Sequence, residues 1–193
     1  MTRLLVLRHA PTDWNAARLI QGRTDRELNE TGQALTKRWR LPEGWEGAVC
    51  YSSPLRRAME TATILGLAPK AQPRLIEMDW GDWEGRKIAD LREAMGGAMA
   101  ENEARGLDFR PPGGESPRDV QERLLPLLRT LSGPTIFITH KGVIRPLYAM
   151  ASGWAMRDDP PEKLRDECAH CFRISPDGTP SVGELNIPLE LPS

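Results

Sequence analysis

Apolar positions along this chain fall into two kinds of run. Short continuous stretches without a helical period occupy residues 4–7, 48–51 and 135–139, and such runs predict buried strands. A briefer one, Arg74-Leu75-Ile76, stops at Glu77 and is expected to be another. Between them apolar residues recur three and four apart, which predicts amphipathic helices. Ala34, Leu35, Arg38 and Trp39 mark one that ends before Pro42, and Leu55, Ala58, Met59, Ala62 and Leu65 mark a second. Ile88, Leu91 and Met95 form a third that stops at Gly96-Gly97, Val120 to Leu131 a fourth, and Val143, Ile144 and Leu147 a fifth.

Punctuation residues sharpen these boundaries. Ser53-Pro54 suggests an N-cap followed by proline at the first helical position, and Ser116-Pro117-Arg118-Asp119 has capping-box spacing. Pro126 is expected to kink or shorten its helix. Residues 11–26 and 78–85 are polar and irregular, so they are expected as loops, and residues 97–114 as an insertion or lid. Two weaker strands, 169–174 and 182–186, are expected to finish a sheet edge. No repeat or interdomain linker interrupts residues 1–193, which are read as one domain. Strands alternating with helices imply an α/β fold with a largely parallel sheet.

Composition adds limits. With 193 residues, 27% charged and a net charge of −1, the chain lacks the basic excess of a nucleic-acid binder, so no nucleic-acid partner is expected. No apolar run approaches a membrane span, so no membrane association is expected either. Three cysteines are too few and too odd for a disulfide framework, which points to a reducing compartment and a cytoplasmic protein. Oligomeric state is not legible.

The chemistry gathers at the ends of the predicted strands, where Arg8-His9, Arg57, Glu77 and His140 follow apolar runs. A parallel sheet puts such ends on one rim, where ligands bind. Phosphoryl transfer needs a nucleophile, cations for the charged oxygens and an acid for the leaving alkoxide. His9 beside Arg8 fits the nucleophile, because neighbouring guanidinium charge favours neutral imidazole. Arg57 can bind oxygens bidentately, Glu77 is the candidate acid, and His140 can stabilise oxygens in transit.

The ordered series Arg8-His9-Ala10-Pro11-Thr12, Asn15, Gln21-Gly22, Ser52-Ser53-Pro54-Leu55-Arg56-Arg57, Glu77, Gly81-Asp82-Trp83-Glu84-Gly85 and Thr139-His140-Lys141-Gly142 resembles the histidine phosphatase superfamily in its phosphoglycerate-mutase-like branch. The resemblance spans roughly residues 3–150. It implies a three-layer fold, with a mostly parallel central sheet and helices on both faces. It also implies a phosphohistidine on His9, a phosphate pocket of Arg8, Arg57 and His140, and Glu77 as acid and base. Thr12, Asn15, Gln21 and Gly22 carry over as phosphate or substrate contacts. The implied activity is metal-independent hydrolysis of a small phosphorylated metabolite, without cofactor. Phosphoglycerate mutase and a non-catalytic phosphate-binding module are the alternatives. The mutases of this branch are expected to carry a longer, more basic insertion before the second histidine. Ala10 and Lys141 depart from glycines usual in the family; Ala10 would strain a backbone requiring positive φ, and Lys141 is a candidate to reach the pocket.

Less specific readings attach to several residues. Arg56 or Arg57 could pair with Glu60 on its own helix, and Glu84 competes with Glu77 for the acid role. Trp80 and Trp83 either line a pocket or pack their loop. Cys168-Ala169-His170-Cys171 has zinc-ligand types but no second pair, so no metal site is expected and His170 is read as structural.

Overall fold

The structure is a computed structural model and describes residues 1–189. Its centre is one sheet in the order β3-β2-β4-β1-β5-β6, with β7 also paired to β5. The strands are β1 (Thr2–Arg8), β2 (Val49–Ser52), β3 (Lys70–Ala71), β4 (Thr135–Thr139), β5 (Cys168–Ile174), β6 (Pro180–Val182) and β7 (Ile187–Pro188). β1 through β4 run parallel, and β5 joins β1 antiparallel.

Alternation along β1 divides the core. Leu4 and Val6 meet α6 (Pro117–Leu128) and α7 (Lys141–Ser152) through Leu124, Ile144 and Leu147. Leu5 and Leu7 point the other way, toward α2 (Glu30–Arg38) and α3 (Arg56–Ile64) through Leu35, Ala58 and Ala62. A central strand covered on both faces must be apolar throughout, which is why residues 4–7 show no alternation of polarity. The result is the expected α/β architecture, a mostly parallel sheet with helices on both faces. A smaller cluster, Trp83, Leu91 and Met99, joins α4 (Ile88–Met95) to α5 (Gly97–Glu103).

Several local expectations are corrected. Arg74-Leu75-Ile76 is not a strand. Residues Pro73–Leu75 form a 3-10 turn, Gln72 caps it by accepting from the Arg74 N–H, and the short parallel strand lies earlier, at Lys70–Ala71. Thr139 Oγ1 donates to Leu75 O at 2.7 Å, docking the turn across the end of β4. Ser53 does not cap α3: the cap position is Leu55, and the Asp25 carboxylate accepts from the Arg56 N–H instead. Residues 11–26 hold a short helix, α1 (Asp13–Ala16), capped reciprocally by Thr12 and Asn15. The stretch after Gly97 holds α5 and a turn at Gly106–Asp108. Of the last predicted strand, 182–186, only Val182 is in a strand, because residues 183–186 leave regular pairing and Asn186 adopts φ 56°.

The capping box at Ser116 forms as its spacing predicts, with Asp119 reaching back to the Ser116 N–H at 2.8 Å. Pro126 lies inside α6, which ends two residues later and short of Leu131. Ser116→Ala removes one side of the box and is expected to lower unfolding stability by about 1 kcal/mol; the urea midpoint reads this directly.

Candidate active site

Parallel pairing brings the two histidines together. Arg8 pairs in register with Thr139, and the His9 N–H donates to Thr139 O at 3.0 Å. The next residue on each strand is therefore a histidine at the same rim, and the ring centroids of His9 and His140 lie 5.1 Å apart. Both rings are buried.

His9 Nδ1 lies 2.7 Å from the carbonyl oxygen of Ala10. A carbonyl only accepts, so Nδ1 carries the proton and Nε2 keeps its lone pair. Burial, and then the charges of Arg8 and Arg57, hold the pKa of His9 well below the ordinary histidine value. Ala10 sits outside the positive-φ region, so its methyl group causes no strain there and packs in the core. Its N–H donates to Thr61 Oγ1 at 3.0 Å.

Arg57, in the first turn of α3, is fully buried. Nη2 donates to Gly22 O at 2.7 Å and Nη1 to Thr24 O at 2.9 Å. Glu60 pairs with the exposed Arg56, not with Arg57. The loop supplying those carbonyls is fastened by Glu84, whose carboxylate accepts from the N–H groups of Arg23 and Thr24 and from Thr24 Oγ1. That employment removes Glu84 as the candidate acid. It also explains Gly22, since a Cβ there would stand 1.9 Å from Glu84 Oε1.

Glu77 is buried, and burial raises its pKa above the usual carboxylate range. The Met78 N–H, Arg57, Arg8 and the Gly142 N–H oppose that rise. Glu77 therefore shares the space of both arginines, although the segment before it is not a strand. Arg123, which sequence reasoning missed, fixes that segment by donating to the carbonyls of Arg74 and Ile76. Nothing in its spacing distinguishes Arg123 from other helical arginines.

His140 Nε2 contacts Ser53 Oγ at 2.7 Å, and its pKa is lowered by burial and then by His9, Arg57 and Arg8. Arg8 pairs with Asp166 at 2.6 Å, a second partner the sequence did not reveal. Thr12 Oγ1 donates toward Gln21 Oε1 at 2.9 Å, while Asn15 Oδ1 accepts from the Thr12 N–H. These contacts leave the amide nitrogens of Asn15 and Gln21 free of partners among the described residues. Trp80 and Trp83 pack against Phe109. Among the described residues, no three His, Cys, Asp or Glu side chains gather to hold a metal ion. No helix of the described residues is long and apolar enough to cross a membrane.

Gly142 stands against Glu77: a Cβ there would lie 2.4 Å from Glu77 Oε1 and 3.0 Å from Met78 Cβ. Gly142→Ala is expected to displace the carboxyl group and reduce kcat by on the order of 10²-fold with the fold retained. Steady-state kinetics and circular dichroism separate the two effects.

His9, His140 and His170 are all held neutral by burial, His170 with its pKa lowered to about 4. Below about pH 6.5 the unfolded chain binds more protons at these positions, so stability falls as pH falls. The His170 portion levels off near pH 4. Glu77 acts in the opposite sense as pH rises above its unfolded value. Urea midpoints between pH 7 and 4 are expected to decline, with a shallower slope in His170→Gln; a flat profile refutes this linkage.

The phosphoglycerate mutase of Methylorubrum extorquens named as 2,3-bisphosphoglycerate-dependent is 32% identical, over 93% of this chain and 93% of its own. The glucosyl-3-phosphoglycerate phosphatase of Mycolicibacterium vanbaalenii is 34% identical, over 78% of this chain and 74% of its own. Among solved structures, a mycobacterial glucosyl-3-phosphoglycerate phosphatase complexed with inorganic phosphate superposes with a TM-score of 0.82 at 26% identity, covering 100% of both chains. The mutase relative matches over nearly its whole length, so a longer insertion does not separate mutase from phosphatase here. The sequence profile of the histidine phosphatase superfamily (branch 1) matches residues 4–187, and the chain belongs to that family.

Proposed function

We propose that the protein is a metal-independent phosphomonoester hydrolase that acts through a phosphohistidine on His9. One observation carries the reading. Among the described residues, four buried side-chain polar atoms lack a partner, and three belong to the site: Arg8 Nε, Arg57 Nε and His140 Nδ1. A native fold rarely leaves buried polar groups unpaired. Two arginine donors beside a neutral nucleophile match a phosphoryl group, whose oxygens accept.

In the first half-reaction His9 Nε2 attacks phosphorus while the ester P–O bond breaks. The leaving alkoxide takes the proton of Glu77. In the second half Glu77, now a carboxylate, takes a proton from water as the water oxygen attacks phosphorus. The N–P bond breaks, phosphate departs, and both residues return to their starting states. Arg8 and Arg57 hold the equatorial oxygens, His140 donates from Nδ1, and the amides of Asn15 and Gln21 are further contacts, positioned by Thr12. Gly22 contributes through its carbonyl hold on Arg57. We read residues 1–193 as one domain, with residues 97–114 as a lid beside the site and the cytoplasm as its compartment, as three free cysteines favour.

The mutase reading rests on relatives bearing that name at full-length coverage. Against it stand three arginines of the segment between Glu77 and His140 that are already paired. Arg92 pairs with Glu103, Arg110 with Asp119 and Arg118 with Asp108. These three offer no spare charge for a second phosphate.

Phosphate release from a panel of phosphomonoesters is expected to survive excess chelator and to vanish in His9→Ala. Interconversion of phosphoglycerates without release would establish the mutase, and loss to chelator would sink the mechanism. Glu77→Gln is expected to slow alkyl phosphates roughly 10²–10⁴-fold, yet to release p-nitrophenol from p-nitrophenyl phosphate in a burst, because that leaving group needs no acid.

A further inference from the structure

The antiparallel placing of β5 brings a further side chain to the rim where β1 ends. Leu7 pairs in register with Ala169, so the chain entering β5 passes beside Arg8. Within it, Asp166 Oδ1 accepts from Arg8 Nη1 at 2.6 Å. The Asp166 side chain is 58% exposed, and an ion pair that open to water adds little to stability. Its effect falls on Arg8 instead.

A guanidinium offers a phosphoryl group a fork of parallel donors along its Nε–Nη2 edge. Asp166 takes Nη1, which lies outside that edge, and Arg8 Nε is buried with no partner among the described residues. The charge of Arg8 acts on His9, Glu77 and His140, which puts the residue in the site. The two arginines are therefore held differently. Backbone carbonyls occupy both Nη1 and Nη2 of Arg57, whereas one carboxylate anchors Arg8 at a corner and leaves its fork whole.

Asp166 rides on an irregular strap, residues 158–167, that leads from α7 toward β5. Asn186, buried and at φ 56°, fastens the strap on both sides of its tip. Its Oδ1 accepts from the Arg165 N–H at 2.7 Å, and its Nδ2 donates to Glu162 Oε1 at 2.7 Å and to Lys163 O at 3.1 Å. Tyr148 Oη accepts from the Glu162 N–H at 3.0 Å. Glu167, directly after Asp166, takes φ 61°, a left-handed conformation that a side chain disfavours and that persists only where the surrounding structure imposes it. Lys141 lines the cavity on whose wall Arg8 and Asp166 meet. Burial opposes ionisation of Asp166, but Arg8 and Lys141 hold its pKa below the usual carboxylate value, so the acceptor stays charged.

We infer that Asp166 is a positioning residue for the phosphate pocket: it pins Arg8 through Nη1 so that the Nε–Nη2 edge meets the phosphoryl oxygens, and the strap clasped by Asn186 holds it there. The inference rests on the proposed reading of the site as one that binds a phosphoryl group.

A double-mutant cycle with Arg8→Lys tests it, because lysine keeps the charge but has no fork to orient. Asp166→Ala is expected to lower kcat/KM for p-nitrophenyl phosphate about tenfold in the wild-type background, and less than about twofold beside Arg8→Lys. Asp166→Asn, whose amide oxygen still accepts from Nη1, is expected to recover most of the loss. Equal losses in the two backgrounds, no loss in Asp166→Ala, or an Asp166→Asn as impaired as Asp166→Ala each overturn the assignment. Calorimetric titration of the same proteins with inorganic phosphate reads the positioning without turnover, and its affinity is expected to fall with the same dependence on Arg8. Such a coupled loss of phosphate binding in a protein that hydrolyses no ester keeps the positioning role and refutes the hydrolase reading. Hydrolysis by the wild type that is indifferent to Asp166 does the reverse, and a wild type that neither binds nor releases phosphate refutes both.

Discussion

The burial of Arg57 is the constraint on which the site depends. A guanidinium removed from water is costly unless its donors are met, and among the described residues no carboxylate salt-bridges this one. Two backbone carbonyls do so instead, from Gly22 and Thr24. Those carbonyls hold position because Glu84 collects the N–H groups on the other side of the same loop. Glycine is required at 22 both by φ +50° and by the closeness of Glu84. A cluster of polar residues thus resolves into one support, whose product is an arginine with its Nε unpaired among the described residues. Carbonyls suit this task better than a carboxylate would, since they orient the cation without cancelling its charge.

That arrangement has a thermodynamic side. His9, His140 and Glu77 are each driven toward their neutral forms by burial, and the arginines beside them reinforce this for the histidines. The site therefore concentrates positive charge and inward-facing donors in a buried space. A phosphoryl group is complementary to both, since its oxygens are negative and only accept. Its negative charge also supports the protonated form of Glu77, the state the proposed mechanism needs.

Much of this was legible from sequence where a local pattern has a local cause. The continuous apolar run at residues 4–7 foretold a doubly covered strand, and Ser116 with Asp119 foretold a cap that forms as expected. The run before Glu77 misled because Leu75 is apolar for burial in the core beneath its 3-10 turn, not for pairing in the sheet. Ser53 had the look of a cap, but its hydroxyl meets His140, 87 residues away. Asp166 and Arg123 were invisible for the same reason. Their partners are set by the tertiary fold, and nothing within a few residues marks either one.

The division of labour proposed for the two histidines is equally tertiary. Both follow parallel strands, both are buried, and both are held neutral, so neither composition nor titration distinguishes them. Hydrogen-bond partners do. The Ala10 carbonyl can only accept, which commits His9 to a proton on Nδ1 and a lone pair on Nε2. Ser53 is a hydroxyl and can donate, which lets His140 accept at Nε2 and carry its proton on Nδ1, the buried atom with no other partner. One ring thereby presents a lone pair and the other an N–H to the space between them. A tetrahedral or trigonal phosphoryl group needs both, a nucleophile in line and donors around its oxygens. Exchanging the carbonyl and the hydroxyl would exchange the roles, with the sequence positions of both histidines unchanged.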